Sequence, residues 1–251
     1  MERYLPTGNE MISLPKLNAD TSAIEDLTFL SMQQRGMIEL CGQETAPLMQ
    51  PFLTIDGTEL PLQNLSWSRE HFWIPVGQKE TQSASVKLTV LTPVGERGFA
   101  VRIAAMPKAD CRVTFGLRGL WSKSVHCVNE DKELTGQAHI YESAWNSSFI
   151  MDYRVGFPVF ALAPMTDRAG QSEWTQTENG ISYQISCALD VKAGQEGAFT
   201  IFWGLGFEEV AAATSAKEQL RRGWNWLYRK TADWLDKRTM QLPTPELTEV
   251  Y

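Results

Sequence analysis

Short runs of β-branched and aromatic residues, separated by turn signals, recur from residue 31 to about residue 207 of this 251-residue chain. The segment "ASVKLTVLTP" alternates strictly, with Val86, Leu88 and Val90 on one face, and "GERGF" predicts a turn into the returning segment "FAVRIAAMP". About a dozen such runs follow one another without a convincing helix between them. Parallel βαβ architectures are therefore disfavoured, and the pattern predicts a large antiparallel sandwich or barrel.

The period of the apolar residues changes at about residue 208. From there the apolar positions recur at steps of three or four, which predicts one amphipathic helix of about 25 residues; they include Leu220, Trp224, Leu227, Thr231, Trp234 and Leu235. The prolines of "QLPTP" end this helix, and "TPELTEVY" (244–251) has the capping threonine and first-turn proline of a further helix. This order predicts a β domain over residues 1–207, followed over 208–251 by a linker helix and the start of another domain.

The rest of the sequence limits the partners and the location. Residues 1–30 are polar and mixed, and "ADTSAIEDL" predicts at most a short helical turn. No apolar signal-peptide core and no membrane-span-length apolar run is present, and the net charge of −7 argues against nucleic acid or an anionic membrane as a partner. The cysteines lie far apart in apolar surroundings without a CxxC pair, which predicts buried thiols in a reducing cytoplasm; they are Cys41, Cys111, Cys127 and Cys187.

Six segments carry a resemblance to a known family. In chain order they are "GERGFAVRIAA" (95–105), "VTFGLRGLWSKSVHCVNE" (113–130), "SAWNSSF" (143–149), "FPVFALAPM" (157–165), "FWGLGFEEVAAA" (202–213) and "WLDKRTMQLPTPEL" (234–247). Together they resemble the N-terminal domain of the six-hairpin glycosidases, which include glucoamylase-like, glycogen-debranching-like and disaccharide-phosphorylase-like enzymes. In that group a β-supersandwich, related in fold to galactose mutarotase, leads through a helical linker into a catalytic α/α toroid.

The resemblance implies an all-β, galactose mutarotase-like supersandwich with a long C-terminal linker helix. It also implies a non-catalytic role as the N-terminal domain of a glycoside hydrolase or phosphorylase, bracing the toroid and shaping one rim of its active site. The acid and base of an inverting glycosidase lie about 6.5–9.5 Å apart, and in this family they belong to the toroid, so no residue here is assigned to catalysis. The expected partners are the missing catalytic domain of the same chain, an oligosaccharide, and a second copy through the helix; no cofactor is expected.

Two loop-like stretches hold the residue types that a sugar needs. Aromatic faces stack on sugar rings, while amides and other polar groups bond to the hydroxyl rim. The predicted substrate-binding residues are Trp121, His126, Tyr141, Trp145 and Asn146. The alternative is that the aromatic residues among them pack inside the sandwich or against the linker helix.

The histidines leave a second function open. Mutarotases use two histidines and a carboxylate for acid–base chemistry on a hemiacetal, and here His126 and His139 could act with Glu130, Glu133 or Glu142. A free-standing aldose epimerase, or a plain carbohydrate-binding module, is therefore the alternative function, although neither needs a long aromatic-faced helix. No metal site is expected, because nothing near His126–Cys127 or His139 supplies the tight local spacing of zinc ligands.

Two further aromatic groups are interpreted as structural. The segment "LSWSREHFWIP" (65–75) has the alternation of an ordinary strand, with a ligand site around His71 as the alternative. The aromatic residues of the predicted linker helix are expected to pack on the sandwich or on a following domain; they are Trp224, Trp226, Tyr228 and Trp234.

Overall fold

The computed structural model describes residues 3–30, 36–42, 45–122, 124–144 and 148–238. Its strands, in chain order, are β1 (Thr7–Gly8), β2 (Ile12–Leu14), β3 (Asp26–Leu30), β4 (Met37–Cys41), β5 (Gln50–Ile55), β6 (Thr58–Glu59), β7 (Ser66–Glu70), β8 (Ile74–Glu80), β9 (Ala84–Leu91), β10 (Gly98–Pro107), β11 (Cys111–Ser122), β12 (Val125–Cys127), β13 (Lys132–Glu133), β14 (Gln137–Glu142), β15 (Phe149–Arg154), β16 (Pro158–Thr166), β17 (Gln171–Thr177), β18 (Gly180–Val191) and β19 (Gly197–Gly206). A short 3-10 turn spans Val128–Glu130, and the helices are α1 (Glu209–Arg222) and α2 (Trp224–Asp236).

The strands form three sheets. An eight-stranded sheet has the order β14-β15-β16-β19-β10-β9-β8-β7, a five-stranded sheet the order β17-β18-β11-β5-β6, and a six-stranded sheet the order β1-β2-β3-β4-β12-β13. All the pairings within these sheets are antiparallel in the described part of the chain. The predicted all-β antiparallel class is therefore confirmed.

One hydrophobic core joins the three sheets. Phe160, on β16 of the eight-stranded sheet, lies 5.0 Å from Phe29 of the six-stranded sheet and 5.8 Å from Trp121 of the five-stranded sheet, measured between ring centroids. All three rings are buried, and the same core takes apolar residues from every sheet. The eight-stranded sheet is thus one layer of a sandwich whose other layer is supplied by the two smaller sheets.

Strand β19 is buried along its whole length, on both of its faces. Phe199, Ile201 and Trp203 point into the sandwich core, whereas Phe202 belongs to a second apolar cluster on the opposite face. A strand that is buried on both faces needs apolar or small residues at nearly every position, and the sequence "GAFTIFWGLG" has them. The outer face of the eight-stranded sheet must therefore be covered.

The two helices provide that cover. Helix α1 lies so close to β19 that a Cβ added to Gly204 would stand 2.2 Å from the Ala212 carbonyl oxygen and 2.3 Å from the Ala216 nitrogen. Helix α2 packs Leu227 and Leu235 against an apolar patch of the same sheet that includes residues of β8, β9 and β10. Small residues lie between α1 and the sheet, and larger ones lie between α2 and the sheet. The size of these residues sets the distance between each helix and the sheet.

The C-terminal segment is helical as predicted, but one continuous helix was the wrong expectation. Helix α1 ends at Arg222 and α2 begins at Trp224, because Gly223 takes a φ of 75°. Glycine adopts this region at no steric cost, so the residue breaks the helix instead of weakening it. The further helix predicted over 244–251 lies outside the described residues.

The N-terminal residues also differ from the expectation of irregular structure with a short helical turn. They form strands β1, β2 and β3, and "ADTSAIEDL" contains no helix in the described residues. The Asn18 side-chain oxygen instead accepts hydrogen bonds from the backbone of Asp20 (2.9 Å) and Thr21 (3.1 Å), closing a turn that buries Ile24. Non-local pairing with later strands, rather than local propensity, determines the structure of these N-terminal residues.

Two other expectations concern the cysteines and membrane-spanning segments. Cys127 and Cys187 are buried as predicted, but Cys41 and Cys111 are only half-buried. Neither described helix combines the length and apolar character needed to cross a membrane.

Replacing Gly204 with alanine should destabilise the fold, because the new methyl group falls inside the contact distance of the α1 backbone. We expect the free energy of unfolding, measured by urea titration, to fall by about 2–3 kcal/mol, the usual cost of overpacking. The exposed α1 substitution Lys217→Ala is the control and should change it by less than about 0.5 kcal/mol. Equal effects of the two variants would contradict the close docking of α1.

Candidate functional site

The structure excludes Trp121 as a sugar platform. Its ring is 1% exposed, and its indole N–H donates a hydrogen bond to the Asp152 carbonyl oxygen at 3.2 Å. The alternation of β11 points Trp121 inward together with Leu117 and Phe115, so the prediction for this residue was wrong. Trp145 and Asn146 lie outside the described residues.

Tyr141 belongs to a polar cluster around a buried carboxylate. Asp152 on β15 accepts hydrogen bonds from the Tyr141 hydroxyl (3.1 Å) and from the Arg154 Nε (2.8 Å), and lies 3.0 Å from the Nδ1 of His139. His139 and Tyr141 are on the edge strand β14, where His139 is the direct cross-strand partner of Asp152. We call these four residues the Asp152 cluster.

The Asp152 cluster holds its charges in a partly dry environment. Burial, followed by the negative charge of Asp152, raises the pKa of Tyr141 to about 12, so its hydroxyl is a neutral donor at pH 7. Tyr141 also packs beside the alanines of α1, and nearby Ser143 donates to the Glu209 carboxylate of α1 at 2.7 Å. The buried carboxylate therefore ties the edge strand β14 to β15, and Ser143 ties the end of that strand to α1, while half-exposed His139 and Arg154 remain reachable from solvent.

His126 lies apart from this cluster. It is on β12 of the six-stranded sheet, with its Nε2 3.5 Å from Asp131 and its Nδ1 4.0 Å from Glu39. His139 belongs to the eight-stranded sheet and uses Asp152. The two histidines thus have separate carboxylate partners, and none of the three glutamates expected beside them forms an ion pair with either in the described residues; those glutamates are Glu130, Glu133 and Glu142.

A cavity of about 540 Å³ lies against the five-stranded sheet. Four of its strands supply side chains, and the segment 45–47 adds to the rim. We call it the Trp174 cavity; its lining includes Gln50, Gln63, Arg118, Glu173, Trp174 and Gln184. Glu173 and Trp174 are neighbours on β17 and so point to opposite faces of the sheet, with the Trp174 ring on the core side. Amides, a carboxylate and a guanidinium are the polar groups that sugar hydroxyls need.

Neighbouring contacts hold the lining of this cavity in place. The half-buried Trp174 ring packs 5.7 Å from Phe149 of the core, measured between centroids. Arg118 forms a two-pronged ion pair with Glu59, at 3.2 and 2.8 Å. The Gln50 amide donates to the Thr21 carbonyl oxygen at 2.9 Å. A fixed ring and fixed polar groups reduce the ordering cost of binding a ligand.

The sequence analysis did not select Trp174, because "QSEWTQT" is polar and was not assigned as a strand. It forms β17, an edge strand paired with β18, whose side chains are exposed apart from the half-buried Trp174. A lone tryptophan in an otherwise polar, alternating run was the signal that could have found it. The polar neighbours indicate an exposed strand, and the tryptophan indicates one ring that packs against the core.

The segment 65–75 is not one ordinary strand, as interpreted, because a turn over residues 71–73 separates β7 from β8. Its two tryptophans have structural roles. The indole N–H of Trp67 donates to the Ala19 carbonyl oxygen (2.9 Å), and that of Trp73 donates to the Gly8 carbonyl oxygen (2.7 Å). These bonds fasten the N-terminal residues to the eight-stranded sheet. His71 contacts Asp236 at 2.7 Å and so fixes the end of α2.

The aromatic residues of α2 divide into two pairs. Trp224 and Tyr228 pack on the sheet as predicted. Trp226 and Trp234 are 46% and 39% exposed, and cations lie over both rings, with Lys230 5.1 Å from the Trp226 centroid. Within the described part of the chain, one side of α2 therefore leaves two tryptophan rings exposed.

The sequence matches no protein-family model and no curated protein, but solved structures share its fold. A protein described as a kojibiose phosphorylase from the human microbiome matches with a TM-score of 0.61 and 11% identity, over 92% of this chain and 35% of that one. A bacterial glucoamylase complexed with acarbose matches with a TM-score of 0.59 and 10% identity, over 95% of this chain and 37% of that one. A GalM/aldose epimerase homologue from C. elegans gives a TM-score of 0.45 at 8% identity, over 81% and 98% of the two chains.

The matches to the phosphorylase and the glucoamylase establish the fold. They confirm the supersandwich that the resemblance to glucoamylase-like and phosphorylase-like enzymes implied. This chain spans little more than a third of the length of either protein.

Replacing Asp152 with asparagine should lower the pKa of Tyr141 from about 12 toward its ordinary value of 10.0, because a negative charge beside the phenol is removed. The pKa should stay above 10.0, since burial is its largest cause. Arg154→Gln is the opposing control and should raise the pKa, because the Arg154 contact lowers it. Carbon-13 NMR of labelled tyrosine measures both, and an unchanged pKa in Asp152→Asn would contradict the electrostatic role of the cluster.

Proposed function

We propose that this chain is a non-catalytic β-supersandwich domain of a larger carbohydrate-active enzyme, a glycoside hydrolase or phosphorylase acting on α-linked gluco-oligosaccharides or similar sugars. The observation that carries this proposal is the fold match, which covers 92% and 95% of this chain but only 35% and 37% of a phosphorylase and a glucoamylase. A domain of this size would occupy the N-terminal third of such an enzyme. The catalytic carboxylates would then belong to the remainder.

The surface of α2 supports a bracing role. Trp226 and Trp234 lie on a helix whose other side is already buried against the eight-stranded sheet. Exposed aromatic rings on a docked helix favour contact with another protein surface. We assign that surface to a helical catalytic domain following residue 251, with a second copy of the chain as the competing partner when that domain is removed.

The Trp174 cavity is the place where this domain would contact sugar. It takes over the role that the sequence analysis gave to Trp121, because Trp174 is half-buried at a cavity while Trp121 is enclosed in the core. The amides of Gln63 and Gln184 can both donate to and accept from hydroxyl groups, and the side-chain oxygen of Gln50 can accept. Such a site would hold part of an oligosaccharide without acting on it.

An epimerase function has less support. It requires two histidines and a carboxylate around one hemiacetal, whereas His126 and His139 lie on different sheets with different carboxylates. A plain carbohydrate-binding module remains the second candidate, because the Trp174 cavity would serve it equally well. Binding of sugar together with a free α2 surface in the native protein would favour the module.

Residues 1–251 alone should release neither glucose nor glucose 1-phosphate from α-linked gluco-disaccharides. In the proposed enzyme the acid and the base belong to the following domain, and the buried Asp152 carboxylate is already engaged by three side chains. Product detection by coupled assay, with a glucoamylase as the positive control, measures this. Turnover by the purified chain would contradict the proposed non-catalytic role.

Trp174→Ala should weaken binding of maltotriose by about tenfold or more, which corresponds to about 1.4 kcal/mol. The alanine removes the only aromatic platform that we assign to the sugar. Titration followed by heteronuclear NMR measures the affinity, and Trp234→Ala on α2 is the matched control, expected to leave the affinity unchanged. Equal affinities for wild type and Trp174→Ala would remove the cavity from the proposal but leave the bracing role intact.

A further inference from the structure

A group of potential metal ligands lies on the outer face of the six-stranded sheet. One ligand atom from each of Asp26, Glu39 and Cys41 falls within 4.8 Å of the other two. The register explains this closeness, because Asp26 on β3 is the direct cross-strand partner of Cys41 on β4. Glu39 lies two residues before Cys41 and so shares its face, while Leu40 between them points into the core.

His126 borders the same group on the next strand. It is the cross-strand partner of Glu39, and its Nδ1 lies 4.0 Å from the Glu39 carboxylate. Its other ring nitrogen, Nε2, lies 3.5 Å from Asp131. A histidine whose second nitrogen faces a carboxylate is oriented in the way that metal-ligating histidines usually are.

Asp26 makes the group more than a set of surface acids. Its side chain is 1% exposed, and its Oδ1 makes no hydrogen bond with the described residues. The Lys16 ammonium forms an ion pair with the other oxygen, but the Lys16 side chain is 45% exposed and is free to turn outward. A buried carboxylate with one unsatisfied oxygen is costly, and a cation between Asp26 and its two neighbours would remove that cost.

We propose that a divalent metal ion of the zinc class binds to Cys41 Sγ and to carboxylate oxygens of Asp26 and Glu39, with His126 Nδ1 as the fourth ligand. We call this set the Cys41 cluster. A thiolate, an imidazole and carboxylates are the ligands that zinc accepts in tetrahedral sites. Ligand atoms around a tetrahedral zinc lie about 3.4–3.7 Å apart, so the three ligand atoms of Asp26, Glu39 and Cys41, now within 4.8 Å of one another, would draw together, and His126 would turn its Nδ1 toward them from beside Glu39.

Binding would couple three strands. The ion would join β3, β4 and β12 through side chains on one face, and four protein ligands would leave no open position, so the site would be structural. Metal binding would release the thiol proton to solvent as the metal–sulfur bond forms.

The sequence analysis expected no metal site because it looked for ligands close together in sequence. The four ligands lie at positions 26, 39, 41 and 126, and strands β3, β4 and β12 bring them together. The His126–Cys127 pair that was considered points to opposite faces of β12, with Cys127 buried in the core.

Titration of the full chain with Co²⁺ alone tests the site, because a cobalt–thiolate bond gives a sulfur-to-metal charge-transfer absorption. We expect this absorption to saturate at one equivalent, and Zn²⁺ to abolish it by competition. Cys41→Ser should eliminate it, whereas Cys111→Ser, a matched half-buried cysteine on another sheet, should retain it. Absence of the absorption in the wild type, or its retention in Cys41→Ser, would overturn the proposal.

Two further variants separate a metal site from a simple ion pair. Glu39→Gln should weaken Zn²⁺ binding at least about tenfold, and Lys16→Met should tighten it, because the competing ammonium is removed from Asp26. Circular dichroism checks that each variant is folded. Weaker Zn²⁺ binding by folded Lys16→Met would mean that Lys16 supports the cluster rather than competes with the metal, and would overturn the assignment of Asp26 as a ligand.

Discussion

The burial of β19 on both faces is the constraint on which the rest of the structure depends. Its inward side chains complete the core shared by the three sheets, where Trp203 packs 6.2 Å from Tyr183 of the five-stranded sheet, measured between ring centroids. Its outward residues are Phe202 and small residues that admit the backbone of α1. A central strand of this kind is stable only if both layers form, so α1 and α2 are required by the same apolar run that builds the sandwich.

The polar groups follow from this arrangement. Where the helices stop covering the eight-stranded sheet, Asp152 is buried with three partners. On the six-stranded sheet, the face turned away from the core carries the Cys41 cluster, and the five-stranded sheet forms the floor of the Trp174 cavity. Chemistry-bearing side chains thus lie on outward faces and edges, and the shared core is left apolar.

Periodicity predicted the long strands well because their own residues carry the signal. The alternation of β9 and the return through β10 are visible in the sequence, and both strands form with Val86, Leu88 and Val90 buried. The short strands β1, β2 and β3 were not predicted, because they have few residues and depend on partners far along the chain. Gly223 lies inside the stretch predicted as one helix, but its positive φ ends one helix and begins the next.

The site was harder to predict than the fold. Residue type alone cannot distinguish Trp121 from Trp174. Both rings face the core, but Trp121 lies on the central strand β11 and is fully buried, whereas Trp174 lies on the edge strand β17 and is half-buried. Tyr141 and His139 were both noticed, but their carboxylate, Asp152, comes from the neighbouring strand and was not. The Cys41 cluster is further removed from sequence reasoning, since its ligands meet only through sheet register.

We propose that the helices of this supersandwich domain brace a following catalytic domain. The most direct measurement is to read the native coding sequence downstream of codon 251. The account predicts several hundred further codons in frame, with helical periodicity and with tryptophan- and glutamate-bearing loops, as an α/α toroid requires. A stop codon directly after Tyr251 would contradict the account, and the exposed tryptophans of α2 would then need a separate partner.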